Sequence, residues 1–178
     1  MDDDRIRIRP MAPADCDRVA EIRIGGWRSA YRGLIPQSYL DALDVAQDAE
    51  RRRGYFSQGD GSVVDLVAVR AGEIVGWACH GPYRDGEVRT EDVELYAIYV
   101  DPGRYGAGIG HALLQESVRR CIAAGRPRML LWVLKDNARA RRFYERAGFH
   151  ADGAEEPFEV EGVEVPEVRY TRELTPHR

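Results

Sequence analysis

Two hydrophobic periods alternate along the chain, and their order predicts the order of its elements. Residues 6–11 (IRIRPM) alternate apolar and polar positions, as a strand does. From Val19 to Tyr31 apolar residues recur at helical spacing until Gly33 breaks the pattern. The same period predicts two further helices, over 36–43 and 47–57.

The middle of the chain has the pattern of a hairpin followed by a buried strand. SVVDLVAVR and EIVGWACHG are separated only by Ala71 and Gly72, which predicts two antiparallel strands. Residues 93–100 (VELYAIYV) are apolar on both faces, which indicates a central strand.

Helical and strand patterns alternate in the second half. A helix is expected from Ile109 to the break at Gly125 and Pro127, with its apolar stripe on Ile109, Leu113, Val118, Cys121 and Ile122. A strand (RMLLWVL) and a helix (NARARRFYERAG) follow, the latter with a stripe of Ala140, Phe143, Tyr144 and Ala147. The tail alternates around Glu161 and Gly162 as two antiparallel strands. The fold class expected is α+β around a mixed sheet.

Composition limits the class of protein. The length of 178 residues suits one domain, 1–178. Because the net charge is −4, the arginine clusters are interpreted as solvated helix faces, and no nucleic-acid partner is expected. The start MDDDRIRIRP lacks an apolar leader segment and no apolar run is long enough to span a bilayer, so we expect a cytoplasmic protein and no membrane partner. Three scattered cysteines indicate buried apolar residues, and neither a disulfide framework nor a metal site is expected.

Four glycines stand within eight positions of the stretch DPGRYGAGIGHALL, residues 101–114. A strand precedes this stretch and a helix follows it. In that order, unpaired N–H groups at the helix N-terminus and the helix dipole attract an anion, and glycine lets a phosphate approach the backbone closely. The spacing therefore predicts phosphate binding.

The glycine-rich stretch lacks residues that nucleotide-binding motifs need, which limits the kind of phosphate ligand. Gly103 and Gly108 have the spacing of a nucleotide triphosphate loop, but Ile109 and Gly110 follow where lysine and serine or threonine belong. A dinucleotide-binding protein stays a remote alternative, because the glycine spacing is wrong for it and about 100 residues precede the motif.

VELYAIYVDPGRYGAGIGHALL resembles the acyl-CoA-binding motif of the GNAT superfamily of N-acetyltransferases, and NARARRFYERAGF resembles that family's second cofactor motif. The resemblance extends over almost the whole chain. Tyr105 departs from the motif by standing at its usual Arg/Gln position, with Arg104 shifted by one. The resemblance implies a mostly antiparallel sheet splayed in the middle and flanked by helices, with a bulge expected near Ala97 or Ile98.

The resemblance also implies acetyl-CoA as the cofactor. Backbone N–H groups from about Tyr105 to Gly110 would hold the pyrophosphate, and the pantetheine arm would pair with strand 93–100. Asn137 matches a pantetheine contact, and its alternative role as a plain helix N-cap does not exclude that contact. His111 is a lone histidine, which is more often incidental. The implied cofactor-binding residues are Ile98, Tyr99, Val100, Arg104, Tyr105, Gly106, Ala107, Gly108, Ile109, Gly110, His111, Asn137, Ala140, Phe143 and Tyr144.

Acetyl transfer to an amine needs a proton acceptor, because an ammonium with a pKa near 10 is only about 0.1% neutral at pH 7. Glu94 is the candidate base, expected on the same face as Tyr96 and Ile98, with Asp92 or Glu21 acting through water as the alternative. A freed N–H near Ile98 is the candidate oxyanion donor. By the resemblance, Tyr144 is the acid that protonates the leaving thiolate, and its alternative role is an aromatic of the core.

A covalent route through the neighbouring Cys79 and His80 is rejected, because consecutive strand residues face opposite sides of a sheet. We therefore expect direct attack of the amine on the thioester.

The acceptor is the least defined part. By the resemblance, it would be lined by aromatic residues that suggest a partly apolar amine but that equally suit a core: Trp27, Tyr31, Tyr39, Tyr83 and Phe158. Small metabolites, antibiotics, peptide N-termini and protein lysines all stay open as acceptors. A non-catalytic acyl-CoA sensor is the alternative function. The C-terminal strands could pair with a second copy in a homodimer, with a monomer as the alternative.

Overall fold

The computed structural model describes residues 4–174, with every side chain in that range except that of Arg84. The predicted domain 1–178 thus extends beyond the described residues at both ends. A seven-stranded sheet runs through the molecule in the order β1-β2-β3-β4-β5-β7-β6. Neighbouring strands are antiparallel except β4 and β5, which are parallel.

The elements follow the predicted order. The strands are β1 Arg7–Pro10, β2 Val64–Arg70, β3 Glu73–Asp85, β4 Val88–Val100, β5 Arg128–Leu134, β6 His150–Val160 and β7 Val163–Glu173. The helices are α1 Cys16–Ala30, α2 Gln37–Asp41, α3 Val45–Gln58, α4 Ile109–Ala123 and α5 Ala138–Arg146. The expected α+β class with a mixed, mostly antiparallel sheet is confirmed.

Two tight hairpins are positioned as predicted. Ala71 and Gly72 join β2 to β3 with φ of 51° and 75°, and Glu161 and Gly162 join β6 to β7 with φ of 50° and 77°. A two-residue turn with positive φ at both positions matches the right-handed twist of the strands that it connects. These turns fix the register of both hairpins.

The hairpin of β3 and β4 is longer than the sequence predicts. β3 continues to Asp85 and β4 begins at Val88, with Gly86 in the turn at a φ of 61°. Tyr83, expected in a loop, is therefore a strand residue. The polar stretch RDGEVRTED has no apolar alternation that would have indicated a strand.

The sheet opens in its middle beside β4. Pairing of β4 with β5 is confined to Val93 with Met129 and Glu94 with Leu130, after which the two strands diverge. On its other side β4 carries a bulge: Ala97 pairs with Cys79 and Leu95 with His80, which leaves Tyr96 as the extra residue. The expected splay is confirmed, and the bulge lies next to the predicted Ala97.

The two faces of the sheet have separate cores. α4 packs on one face, where Ile109 and Leu113 contact Leu66, Ala68 and Ala78. The opposite face carries α1, with its buried residues packed among Val67, Trp77 and Cys79. All three cysteines are free and buried, as expected: Cys16, Cys79 and Cys121.

One predicted core residue of α4 is exposed. Ile122 is 47% exposed, whereas Leu114, Ser117 and Cys121 are buried. At about 100° per residue, Ile122 lies on the flank of the helix, far from the middle of that buried stripe. Its assignment to the apolar stripe is wrong. No helix among residues 4–174 is both long and apolar enough to cross a membrane.

Candidate active site

A cleft of about 600 Å³ opens where β4 and β5 diverge. Its walls come from α1, from the second half of β4, from the end of β5 and from α5, with Gly110 of α4 at one end and carboxylates of β6 and β7 at the other. The cleft is a direct consequence of the splay, because a fully paired sheet would leave no space between these strands. Residues that are far apart in the sequence, from Gly26 to Glu167, therefore line one cleft.

The glycine-rich turn forms one end of the cleft. Gly106 and Gly108 have φ of 83° and 79°, a left-handed conformation that favours glycine. The N–H of Ala112 donates to the Gly108 carbonyl at 3.0 Å, so the N–H groups of Ile109, Gly110 and His111 precede the first intrahelical bond of α4. Unpaired N–H groups at the positive end of a 15-residue helix form an anion site.

Asp101 anchors the start of this turn. Its carboxylate accepts a hydrogen bond from the N–H of Gly103 at 3.2 Å and pairs with Arg18 of α1 at 2.9 Å. Arg18 also donates to the carbonyl of Ile74 at 3.1 Å. The turn is therefore tied both to α1 and to the start of β3.

The arginine beside the glycine-rich turn in the cleft is Arg139, whereas the sequence had indicated Arg104. Arg104 pairs with Glu73 at 2.7 Å and does not line the cleft. Arg139 of α5 lines the cleft instead, with its guanidinium carbon 4.3 Å from the ring centre of Tyr105. A cation thus lies near the glycine turn although the usual motif position carries tyrosine.

α5 and its N-cap residue bring Tyr144 and Asn137 to the cleft. The Asn137 side chain caps the helix by accepting a hydrogen bond from the N–H of Ala140 at 3.2 Å, and it lines the cleft as well. The two roles considered for Asn137 are therefore compatible. Tyr144 lines the cleft with only 9% of its surface exposed, and burial raises the pKa of its phenol well above the usual value.

The predicted cofactor residues divide into two groups. Nine line the cleft: Ile98, Tyr99, Val100, Tyr105, Gly110, Asn137, Ala140, Phe143 and Tyr144. The other six lie outside its lining: Arg104, Gly106, Ala107, Gly108, Ile109 and His111. Of these, Ile109 is a core residue with 1% exposure, and Gly106, Ala107, Gly108 and His111 are exposed on the turn and the first helical turn.

Glu94 lies half-buried in the cleft, at the last position of β4 that pairs with β5. Burial raises its pKa to about 7, and the charges of Glu156 and Glu167 add to this shift. The expectation that Glu94 shares a face with Ile98 is wrong. Ile98 packs with Val93 and Leu95 on the α4 side, because the bulge at Tyr96 shifts the alternation.

Glu156 and Glu167 are functional candidates that sequence reasoning missed. They pair across β6 and β7, and both line the cleft that holds Glu94. Burial raises the pKa of Glu167 to about 7, with a further contribution from Glu156. Strand alternation in the tail was visible in the sequence, but the contact with β4 was not.

The two alternative bases lie elsewhere. Asp92 pairs with Arg128 at 2.6 Å, and Glu21 pairs with Arg18 at 3.0 Å. Neither residue lines the cleft.

Three of the five predicted acceptor residues line the cleft, namely Trp27, Tyr31 and Phe158. Trp27 contacts the other two edge to face, at centroid distances of 4.9 and 6.3 Å. Tyr39 packs behind Trp27 at 6.1 Å. Tyr83 lies apart, where its hydroxyl accepts a hydrogen bond from Arg169 at 3.0 Å.

A model of the acetyltransferase (GNAT) family matches residues 27–149, well over half of the chain. The chain belongs to the acetyltransferase (GNAT) family. The matched segment contains the bulged strand, the glycine turn and α5, which together build most of the cleft.

Two similar curated proteins are both named as N-acetyltransferases. The chain is 30% identical to the uncharacterized N-acetyltransferase YuaI of Bacillus subtilis, over 92% of this chain and 90% of the relative. It is 28% identical to the probable N-acetyltransferase Rv2775 of Mycobacterium tuberculosis, over 93% and 92%.

Solved structures share the fold at low identity. PaiA N-acetyltransferase from Thermoplasma acidophilum, in complex with coenzyme A, has a TM-score of 0.74 at 18% identity, covering 95% of this chain and 99% of that chain. The putative acetyltransferase YncA from Salmonella typhimurium, with acetyl-CoA, has a TM-score of 0.70 at 23% identity, covering 97% and 95%. These two structures therefore share the fold over nearly all of the chain.

Cys79 and His80 both lie in β3. Cys79 packs on the α1 face, where burial raises the pKa of its thiol above the usual range. His80 is 5% exposed, and burial lowers the pKa of its imidazole to about 4. Neither lines the cleft.

Proposed function

We propose that this GNAT protein transfers an acetyl group from acetyl-CoA to a primary amine by direct attack. The observation that carries the proposal is the polarity of the cleft. One end offers helix N–H groups and Arg139 to a phosphate, and the other offers carboxylates to an amine. Between the two ends runs the unpaired edge of β4.

The glycine turn has room for a pyrophosphate. A Cβ added at Gly106 or Gly108 would meet no protein atom within 4 Å, so the space above the turn is open to a ligand. The N–H groups of Ile109 to His111 would bind the pyrophosphate, with Arg139 as the nearby cation. Beyond Glu94, β4 has no strand partner on the β5 side, so its backbone can pair with the pantetheine arm as a further strand would.

Acetyl-CoA would supply the activated acetyl thioester, and Glu94 prepares the amine. With a pKa near 7, Glu94 is about half ionised at neutral pH and accepts a proton from the bound ammonium. Its half-buried position next to the splay supports this role. Direct attack needs no thiol of the protein, and among the described residues no cysteine lines the cleft.

Tyr144 would donate a hydrogen bond to the departing sulfur. The raised pKa keeps its phenol protonated across the physiological range, so the hydroxyl is always a donor. The unpaired edge of β4 near Ile98 supplies a backbone N–H to the oxygen that gains negative charge. Both groups stabilise charge that develops during transfer.

A screen of primary amines with acetyl-CoA tests the proposal. We expect release of free coenzyme A thiol and an acetylated amine by mass spectrometry with at least one member of the panel. The alternative of a non-catalytic acyl-CoA sensor predicts binding of acetyl-CoA with no thiol release for any amine in a broad panel, and that result would contradict the proposal.

A further inference from the structure

Three carboxylates line the acceptor end of the cleft, and none has a counter-ion among the side chains that the structure describes. Glu94, Glu156 and Glu167 form no ion pair with any arginine or lysine side chain that the structure describes. Lys135 pairs with Glu155, the residue before Glu156, at 3.0 Å, and Arg169, two residues after Glu167, pairs with Asp152 at 2.6 Å. One reacting ammonium can pair with one carboxylate, which leaves the other two without a cation among the described side chains.

The three carboxylates form a series from the interior to the mouth of the cleft. Glu94 and Glu167 are half-buried, whereas Glu156 is exposed. Glu156 and Glu167 face each other as direct cross-strand partners, an arrangement of like charges that destabilises a sheet unless a cation lies between them. Burial raises the pKa values of Glu94 and Glu167 most, and the charge of Glu156 adds to both shifts.

The spacing of the carboxylates suits an extended cation. Within residues 4–174, no group of three or more histidine, cysteine or acidic side chains is close enough to hold one metal ion. The three carboxylates share a cleft without converging on one point. Their wall also includes the rings of Trp27, Tyr31 and Phe158, against which the methylene groups of a ligand can pack.

The hydroxyl of Tyr144 is a second, independent indication that the cleft binds a ligand. Tyr144 is 9% exposed, and its hydroxyl has no hydrogen-bond partner among the described residues. Its hydroxyl oxygen is open to the cleft, where it can donate a hydrogen bond to a ligand. The carboxylates are therefore one end of a site that is also incomplete on the α5 side.

We propose that the acceptor is an aliphatic diamine, with its reacting amine at Glu94 and its second ammonium held by Glu156 and Glu167. This inference rests on the proposed N-acetyltransfer. It assigns to Glu156 and Glu167 the selection of the acceptor, whereas Glu94 serves the reaction itself. The second ammonium supplies the missing positive charge, and the methylene chain between the amines spans the aromatic wall.

Steady-state kinetics with a matched pair of amines tests the inference. 1,4-Diaminobutane and 1-aminobutane have the same carbon chain and differ in the second ammonium. We expect wild type to favour the diamine by about 10-fold or more in kcat/KM, chiefly through a lower KM, because the selecting charges are partly buried. Glu167→Gln should reduce this preference about 10-fold, and Glu156→Gln about 2- to 5-fold, since Glu156 is exposed.

Glu159→Gln is the matched control. Glu159 lies on β6 with the same side-chain chemistry but outside the cleft, so its variant changes the net charge equally. The preference for the diamine should be unchanged in this variant.

The outcomes separate this inference from the proposed function. Equal acetylation of both amines by wild type would leave N-acetyltransfer standing and overturn the diamine assignment. A preference that survives both Glu156→Gln and Glu167→Gln would overturn it too. If neither amine is acetylated, the diamine assignment fails, and the broad amine screen decides N-acetyltransfer separately.

Discussion

Glu94 is an acid within a strand of apolar residues, and its surroundings decide when it is ionised. Its pKa is raised to about 7 by burial and by the neighbouring carboxylates, so it is protonated below pH 7 and becomes a base above it. We therefore expect wild-type kcat/KM to fall as pH drops through about 7. Glu94→Gln keeps the shape and removes the proton acceptor, so its activity should be low near pH 7 and recover towards pH 10, where the free amine is abundant.

Rates measured from pH 6 to 10 for both proteins check this prediction. A Glu94→Gln profile that runs parallel to wild type would make Glu94 structural and place the base elsewhere. Circular dichroism at each pH controls for unfolding.

Tyr144 is proposed to act on the departing thiolate, whereas Glu94 is proposed to act on the attacking amine. Tyr144→Phe keeps the ring and its packing against Phe143 and Phe149 while removing only the hydroxyl. Turnover should fall by roughly 10- to 100-fold with acetyl-CoA affinity nearly unchanged, because the hydrogen bond forms to the departing sulfur. Single-turnover kinetics alongside calorimetry separate the two quantities. Full activity of the variant would assign protonation of the thiolate to another acid or to solvent.

The contact between α1 and β4 holds one wall of the cleft in place. A Cβ added at Gly26 would lie 2.7 Å from Cδ1 of Tyr99, whose ring stacks against Trp77 at 6.2 Å and lines the cleft. Gly26→Ala should therefore destabilise the protein by about 1–3 kcal/mol, despite the better helix propensity of alanine. Displacement of Tyr99 should also weaken acetyl transfer.

Gly25→Ala is the matched control for this prediction. A Cβ at Gly25 would lie 3.6 Å from Pro102, an ordinary contact, so this variant should be as stable as wild type or more stable. Chemical denaturation of both variants provides the comparison. Equal stability of Gly26→Ala and Gly25→Ala would show that the contact with Tyr99 relaxes freely.

Local chemistry made part of this architecture predictable from sequence. The turns at Ala71 and Glu161 are each followed by glycine between alternating runs, and Asn137 precedes a helix as an N-cap residue. These signals act over a few residues, so one sequence is enough to find them. The glycine turn before α4 was identified for the same reason.

The features that the sequence did not predict depend on contacts between residues far apart in the chain or on irregular strand pairing. Glu167 comes 73 residues after Glu94 (167 − 94), and only the β5–β7 pairing brings both into one cleft. Arg139 stands among several arginines of α5, and nothing in its local pattern distinguishes the one that meets Tyr105. The bulge at Tyr96 has no local signal either, and it reversed the face assigned to Ile98.

At the scale of the whole molecule, β6 is one edge of the sheet. The expected homodimer would pair this edge with a second copy. The edge carries Pro157, an irregularity between Ala151 and Glu155, and a row of exposed carboxylates, all features that oppose pairing with another strand. Light scattering at micromolar concentration should thus give a monomer mass, and a dimer mass that is lost on β6 substitution would contradict this expectation.

The central claim for the molecule is that the glycine turn at α4 binds the pyrophosphate of acetyl-CoA. Gly108 and Gly125 stand at opposite ends of α4, both with positive φ and both with no protein atom within 4 Å of an added Cβ. Substitution by tryptophan therefore imposes the same backbone strain at each, but only Gly108→Trp places a bulky ring over the proposed pyrophosphate site.

Calorimetric titration of acetyl-CoA into wild type, Gly108→Trp and Gly125→Trp is the most direct test of this claim. We expect wild type and Gly125→Trp to bind alike and Gly108→Trp to lose at least about 10-fold in affinity, because the ring displaces phosphate from the helix N–H groups. Unchanged affinity in Gly108→Trp would contradict the assignment, and tight binding of NAD by wild type would favour the dinucleotide alternative in its place.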